Sequence, residues 1–477
     1  MSRLLTLSCW LLAVPVLGVL GAWLHPDAGS LAVLAHQLDT VLPGYLRNSA
    51  VLALSVALGV ALLGSLTAAL VSLFDFPGRR LFEWALLLPM AMPAYVLAYA
   101  ATDFLQTSGP LQTLLRGWTG AQGALWPDVR SLWGATAMFV LCLYPYVYLL
   151  TRAALSERAR LLGAGSARRV REVALPLARP AIAAGVALAL METLSDYGVG
   201  AYFGLQTLAT GVYKAWLVMN DRDAAAQLAS LLLVVAPARR RGGRGRACLR
   251  AAGAARLRAA GGRAAAPRVA GGPGQRDRVA GGAAVGALPA LGLEQLQARR
   301  AGRAERQRQR GALGYAVPGA VVAIGILLPV GWVQQRWPEA GAAALVTGTL
   351  FGVVYAYLVR FSAVALQSVE AGYARLNPHL DESARMLGAS RRRIFAEVHA
   401  PLLRRAALGA MLLVFVDVMK ELPATLVLRP FDSDTLAVVA YQLARDERLA
   451  EAALPSLAIV LVGLAPVLLL SRSLRRD

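Results

Sequence analysis

The sequence predicts an all-α, polytopic membrane protein made of two homologous helical bundles. Apolar segments recur along the 477 residues, of which 57% are hydrophobic and only 16% are charged. An average soluble domain carries roughly 25% charged residues, so this composition excludes a soluble globular protein, a disordered chain and a disulfide scaffold. A basic segment that occurs twice, at an offset of 225 residues, indicates that one bundle is a copy of the other.

Ten apolar runs predict the membrane-spanning helices. A helix needs about 20 mainly apolar residues to cross a bilayer core, and it satisfies its own backbone hydrogen bonds in lipid. Seven charge-free runs have roughly this length, at residues 4–26, 48–74, 84–102, 131–151, 311–335, 340–359 and 452–471. Three shorter runs lie at residues 180–191, 224–238 and 406–416. Pro89 and Pro93 predict a kink in the third long run.

The distribution of arginine predicts the orientation. Arginines follow the second, fourth and last long runs, whereas loops of the opposite parity, residues 27–47 and 103–130, carry fewer of them. Because cytoplasmic loops are enriched in Lys and Arg, both chain termini are expected in the cytoplasm. The first run also fits a cleaved signal peptide, but its length and the spans that follow it favour a retained helix.

The repeated basic segment carries the most specific signal in the chain. Residues 157–179 and 382–404 are identical at twelve of 23 positions. In each copy a short amphipathic helix precedes a Gly that permits a sharp turn, a basic helix follows, and a Pro begins the next membrane helix. Such an elbow can dock in a groove of another protein. The alternative, a solvated connector, explains the arginines but not the matching spacing of Gly and Pro.

At these residues the chain resembles a known family. The pattern E-x-A-x-x-x-G, followed 13 residues after the Gly by a Pro, is similar to the EAA coupling loop of binding-protein-dependent ABC transporter permeases. The residues that match it are Glu157, Ala159, Gly163, Pro176, Glu382, Ala384, Gly388 and Pro401. The family favours Ala at the position after the Glu, where this chain has Ser383 in one copy and Arg158 in the other, and Ala400 before Pro401 is a further departure. With METLSDYG at residues 191–198 and DVMKELPATL at residues 417–426, the chain most closely resembles the fused, two-bundle ferric-iron type.

The resemblance implies the partners and the place of the protein. Each elbow would insert into one of two cytoplasmic ATPase subunits, and a periplasmic binding protein would deliver the substrate to a chain in the inner membrane. The sequence contains no GxxxxGK[ST], so the chain itself carries no phosphate-binding loop and is expected to be neither an enzyme nor a cofactor protein. A gradient-driven secondary transporter remains the alternative.

Four acidic residues near apolar helices are candidates for the translocation pathway. Glu192 and Asp196 lie four residues apart, as do Asp417 and Glu421 at the repeat offset. Carboxylates at membrane depth cost at least about 2.5–3.5 kcal/mol each, so they usually face a cavity or a partner, and oxygen ligands suit a hard cation. The alternatives are solvated helix ends or local pairing, the latter favoured by Lys420. The few Cys and His predict no resident metal site.

The middle of the chain differs from the rest. Residues 239–310 comprise 18 Arg, 19 Ala and 14 Gly without an aromatic residue. A nucleic-acid-binding tail is disfavoured because no aromatic side chain is present to stack on bases. The tract occupies the place of a helix pair that the second bundle lacks, which suggests a frameshifted and inactive gene product as a second alternative. The predicted divisions are a first bundle at residues 1–237, a linker at 238–311 and a truncated bundle at 312–477.

Overall fold

The described part of the chain is helical, as the apolar periodicity predicts. The computed structural model describes residues 2–24, 35–162, 175–219, 221–238, 317–373, 376 and 379–475, and within these ranges it contains no strand. This confirms the all-α fold class. Contacts divide the chain into one unit of residues 1–233 with 314–477, and another of residues 234–313.

The helices of the first half are interrupted by short turns. They are α1 (Ser2–Gly21), α2 (Leu42–Leu73), α3 (Arg79–Ala85), α4 (Ala94–Leu105), α5 (Pro110–Thr119), α6 (Leu132–Leu162), α7 (Leu175–Ser195), α8 (Gly198–Tyr202), α9 (Leu208–Tyr213) and α10 (Arg222–Ala238). A 3₁₀ turn at Leu88–Ala91 separates α3 from α4, and a π turn at Lys214–Val218 follows α9. Both irregular turns occur where a long apolar run changes direction.

The second half repeats part of this order. Its helices are α11 (Gly319–Arg336), α12 (Ala342–Thr347), α13 (Phe351–Tyr373), α14 (His379–Met386), α15 (Arg391–Ile394), α16 (Ala400–Met419), α17 (Pro423–Leu428), α18 (Leu436–Arg445) and α19 (Leu449–Arg475). A π turn at Phe395–His399 joins α15 to α16. In both halves a long helix leads towards the repeated basic segment, and a second long helix and a short helix follow it.

Several helices of the described residues are long and apolar enough to cross a membrane. Five meet this test, namely Leu42–Leu73, Leu132–Leu155, Gly319–Arg336, Phe351–Glu370 and Leu449–Leu468. A sixth crossing is possible through the pair that is bent by 95° around residues 92–93, where the sequence predicts a kink. Shorter apolar helices cover Trp10–Gly21, Ala406–Met419 and Leu436–Arg445. Every predicted apolar run coincides at least in part with a described helix.

One predicted span has the wrong boundaries. The run at residues 340–359 is not a single helix, because α12 ends at Thr347 and the crossing helix α13 begins only at Phe351. That helix continues past Arg360, whose side chain is only 9% exposed, to Tyr373. A rule that ends spans at the first charge fails here because the charge is buried against carboxylates.

Glycines permit the closest helix contacts. A Cβ on Gly64 of α2 would lie 2.6 Å from Cβ of Val147 on α6. At the crossing of α1 with α11, a Cβ on Gly325 would lie 1.9 Å from the carbonyl oxygen of Pro15. The indole Nε1 of Trp23, just after α1, donates to Oγ of Ser230 at 3.1 Å. The N-terminal helix therefore packs against both α10 of the first half and α11 of the second.

Candidate translocation cavity

Both halves contain a helix break at matching positions, and each break is capped by one of the predicted acids. Between α7 and α8, Oδ1 of Asp196 accepts a hydrogen bond from the backbone N–H of Val199 at 2.8 Å. Between α16 and α17, Glu421 accepts from the N–H of Ala424 at 3.1 and 3.2 Å and from the N–H of Thr425 at 3.2 Å. The carboxylates satisfy backbone donors that the breaks leave without helical partners.

Glu421 also forms the most deeply buried ion pair of the described residues. Arg360 on α13 donates from Nη1 to Oε1 of Glu421 at 2.6 Å, and the glutamate side chain is only 1% exposed. The hydroxyl of Thr425 donates to Oε2 at 3.0 Å and interacts with the hydroxyl of Tyr357 at 2.6 Å. The other guanidinium nitrogen, Nη2, lies 3.9 Å from Oε2 of Glu192. Arg360 therefore links acids from the two halves.

A second ion pair neutralises Asp417. Nζ of Lys420 lies 3.0 Å from Oδ1 of Asp417, and it donates to the hydroxyl of Tyr146 on α6 at 3.5 Å. Lys420 thus pairs within its own half, as the local-pairing alternative predicts, although its partner is Asp417 and not the adjacent Glu421. Asp417 and Glu421 are buried, so neither is a solvated helix end.

The structure brings all four predicted acids to one cavity of about 60 Å³. Their oxygens share its lining with Arg360, Lys420, Ser195, Tyr95, Tyr146 and Cys142. A volume of this size holds a few water molecules. Four carboxylates and two basic side chains leave the lining with an excess of acid. In the described ranges no three Asp, Glu, Cys or His side chains form a group that could hold a metal ion.

Arg360 is the charged residue of this cavity that neither the repeat nor the apolar runs predict. Counting charge-free runs treats it as the end of a span, although apolar residues lie on both sides of it in the sequence. An isolated Arg inside an otherwise apolar helix is itself a signal, because such a residue usually faces a partner in the bundle interior. Pairing it with acids at the repeat positions would have completed the network.

Tyrosines from both halves pack beside the cavity. The rings of Tyr197 and Tyr213 stack with centroids 3.9 Å apart, and the hydroxyl of Tyr441 lies 3.4 Å from that of Tyr197. Tyr213 donates to the carbonyl oxygen of Pro423. These contacts join α8 and α9 of the first half to α17 and α18 of the second. The cavity therefore lies where the two halves meet.

The second elbow has the geometry that its sequence predicts. Helix α14 ends at Met386, Gly388 adopts a left-handed conformation with φ of 77°, and α15 begins at Arg391. The N–H of Ala389 closes the turn on the carbonyl oxygen of Ala384 at 3.0 Å. Met386 and Leu387 at the bend are 89% and 87% exposed. Two large apolar side chains thus project from the elbow without contacts that bury them.

The first elbow is described only at its edges. The helix bounds place Glu157 and Ala159 on α6 and Pro176 on α7, whereas Gly163 lies outside the described residues. In the second elbow, Glu382 lies on α14 and interacts with Nδ1 of His379 at 3.1 Å. Pro401 is the second residue of α16 and lies in its first turn, directly after the π turn at Phe395–His399. The turn of the repeated segment is therefore described in the second copy alone.

Comparison with known proteins identifies the family. The chain matches the family described as binding-protein-dependent transport system inner membrane component over residues 60–236 and 312–476. The chain belongs to this family. It is a membrane permease of the ABC importer type, and the family implies an ATPase and a substrate-binding protein as its partners. Homologues of the permease are transport proteins and not enzymes.

The names of the relatives of this permease refer to different transported substrates. It is 23% identical to an Fe(3+)-transport system permease protein, FbpB 2, of Haemophilus influenzae, over 90% of this chain and 89% of the relative. It is 26% identical to a putative 2-aminoethylphosphonate transport system permease protein of Salmonella typhimurium, over 40% of this chain and 71% of that protein. It is 27% identical to the molybdenum transport system permease protein of Escherichia coli, over 34% of this chain and 74% of that protein.

Proposed function

We propose that this permease imports ferric iron. The observation that carries the proposal is the match to an Fe(3+)-transport permease along 90% of the chain, which includes both halves. The phosphonate and molybdenum relatives match 40% and 34% of it. Ferric iron is a hard cation, and the oxygen-rich, net acidic lining of the cavity suits such a cation better than an oxyanion.

Glu192, Asp196, Asp417 and Glu421 mark the pathway in this proposal. They come from both halves, so relative movement of the halves changes the distances between them. The present cavity of about 60 Å³ is too small for a hydrated metal complex. Transport therefore requires the two halves to separate and the interhalf contacts of Arg360 and Lys420 to change.

The two elbows couple the permease to a pair of ATPase subunits. The exposed Met386 and Leu387 supply an apolar surface for a groove on one ATPase. Glu157, Ala159, Gly163 and Pro176 would form the equivalent contact with the other. Because the elbows and the Arg-rich loops share one side of the membrane, both termini lie in the cytoplasm in this proposal.

Uptake of ferric iron tests the proposed function. The permease is expressed with its ATPase and its substrate-binding protein, in cells that lack their own iron importers. We expect radioactive Fe(3+) to accumulate, with molybdate and 2-aminoethylphosphonate failing to compete. A matched control carries an ATPase whose phosphate-binding Lys is replaced. Uptake that persists in this control would favour the gradient-driven transporter instead.

The same assay addresses the inactive alternative. A chain whose segment 238–311 replaces a helix pair through a frameshift would yield no uptake of any of the three solutes, and its gene would regain a helix pair when read in the other frame. In our proposal the segment is a cytoplasmic linker between bundles at 1–237 and 312–477. A clean in-frame sequence together with iron uptake establishes it as such.

A further inference from the structure

The four acids of the cavity differ in what neutralises them. Glu421 and Glu192 face the guanidinium of Arg360, and Asp417 faces the ammonium of Lys420. Within the described residues no Arg or Lys lies within ion-pairing distance of Asp196. Its hydrogen bonds are with backbone groups, chiefly the N–H of Val199. Asp196 is thus the acid whose charge the protein leaves without a paired cation.

The repeat accounts for this asymmetry. Asp196 and Glu421 occupy equivalent helix breaks, and both cap the short helix that follows. At the repeat offset, however, Arg360 of the second half corresponds to Ala135 of the first. The first half therefore keeps the acid and the cap but lacks the basic residue. A buried carboxylate without a cation is costly, which indicates a role that a paired carboxylate would not serve.

A second polar group in the same cavity also lacks a partner. Tyr95 on α4 lines the cavity and is 2% exposed, and its hydroxyl has no hydrogen-bond partner in the part of the chain that the structure describes. The segment that carries Asp196 packs directly on this residue, since a Cβ on Gly198 would lie 2.8 Å from Cβ of Tyr95. A buried hydroxyl without a partner is rare in folded proteins and requires an explanation.

We propose that Asp196 and Tyr95 form the contact point at which the permease holds a hard, multivalent metal cation during passage. A carboxylate and a phenol oxygen are ligands that such a cation accepts. Two ligands from the protein, instead of a closed coordination shell, let the cation leave again, as conduction requires. The remaining three acids keep the basic side chains in place. This inference rests on the proposed import of ferric iron.

The same arrangement disfavours an anionic substrate. Arg360 and Lys420 are the basic side chains of the lining, and both already donate to carboxylates. An oxyanion would have to displace a buried carboxylate from its cation while it approached the uncompensated charge of Asp196. A cation meets neither obstacle, because it supplies a positively charged partner for the Asp196 carboxylate.

The test uses the complete transporter in proteoliposomes, with iron delivered by the loaded binding protein. We expect Asp196→Asn to lower Fe(3+) uptake by about tenfold or more, because an uncharged amide forms a weaker contact with a cation. Tyr95→Phe should lower uptake less, and Asp196→Glu should retain most of it. ATP hydrolysis stimulated by the binding protein should stay within about twofold in all three variants.

Two matched variants serve as controls. Asp221→Asn changes an acid that caps α10 in the same way, through hydrogen bonds from the N–H groups of Asp223 and Ala224 at 3.1 and 2.9 Å, but lies outside the cavity lining. Tyr99→Phe removes another buried hydroxyl without a partner in the described residues, one helical turn from Tyr95 and outside the lining. Both should keep normal uptake.

The outcomes separate this inference from the proposed function. Full iron uptake by Asp196→Asn, or an equal loss in Asp221→Asn, would overturn the contact point while leaving iron import intact. Loss of stimulated ATP hydrolysis together with uptake would also overturn it, since a purely structural role predicts that result. If the unchanged permease moves no iron, the proposed function fails and the inference fails with it.

Discussion

Arg360 shows how one side chain organises the centre of the permease. Its guanidinium donates to Glu421 and lies near Glu192 of the other half, and the glutamate in turn accepts from backbone groups at a helix break. The four acids could be predicted from the sequence because they recur at the repeat offset. The repeat does not identify Arg360, because this residue has no counterpart in the first half, and only the fold shows which acids it faces.

Removal of Arg360 should destabilise the permease. Arg360→Met leaves two acids without their cation, and breaking one side of a buried ion pair costs about 3–5 kcal/mol. We expect a lower midpoint of thermal unfolding in detergent, partly restored in the double variant with Glu421→Gln. Arg448→Met is the matched control, because its pair with Glu451 is exposed, and it should not shift the midpoint. An equal shift in both variants would contradict the assignment.

Cys142 offers a chemical probe of the pathway. Its thiol lines the cavity, is 3% exposed and lies 3.7 Å from the carbonyl oxygen of Met92. If substrate passes this point, a cationic methanethiosulfonate reagent should block uptake faster during ATP hydrolysis than at rest. Cys142→Ala should resist the block. Equal sensitivity in that variant would indicate that another cysteine or a partner protein reacts.

The elbow between α13 and α16 was predictable at the scale of the element. A Gly between two short helices determines the turn through local chemistry alone. The break within residues 340–359 was not predictable in the same way. Neither a charge nor a Pro marks the point where α12 ends and α13 begins. The local signal is Thr347-Gly348-Thr349, which a count of charge-free residues does not register.

Substitution of Gly388 should weaken the association of the permease with its ATPase more than it destabilises the fold. A side chain at its φ of 77° costs on the order of 1–3 kcal/mol, or it forces the turn to change. We expect Gly388→Val to reduce co-purification of the ATPase. Gly341, with φ of 59° immediately before α12, is the matched control. Gly341→Val imposes a similar strain there and should leave co-purification unchanged; a loss in both would indicate general misfolding.

The two halves are interlocked in the described part of the molecule. Helix α1 packs against α11 across Gly18 and Gly325, and Tyr355 on α13 donates to the carbonyl oxygen of Leu11. Tyrosines and the ion-pair network join the halves around the cavity. Two bundles were predictable from the repeat. Their interlocking was not, because the residues that touch across it are ordinary Gly and Tyr in apolar sequence.

The α1–α11 crossing should tolerate no added methyl group. Gly325→Ala places a Cβ against the backbone of Pro15, and such overpacking typically costs about 1–3 kcal/mol. We expect a lower unfolding midpoint and less purified permease. Gly331→Ala on the same helix is the control, since its Cβ would meet only the end of Arg222, at 3.2 Å. Equal behaviour of the two variants would argue against a close crossing.

The position of α1 also bears on maturation of the chain. Cleavage by a signal peptidase after residue 24 would remove the helix that packs against α11 at Gly325. It would also remove Trp23, whose indole N–H donates to the hydroxyl of Ser230. We therefore expect α1 to be retained in the mature protein, and mass spectrometry of the purified polypeptide should give the mass of the uncleaved chain.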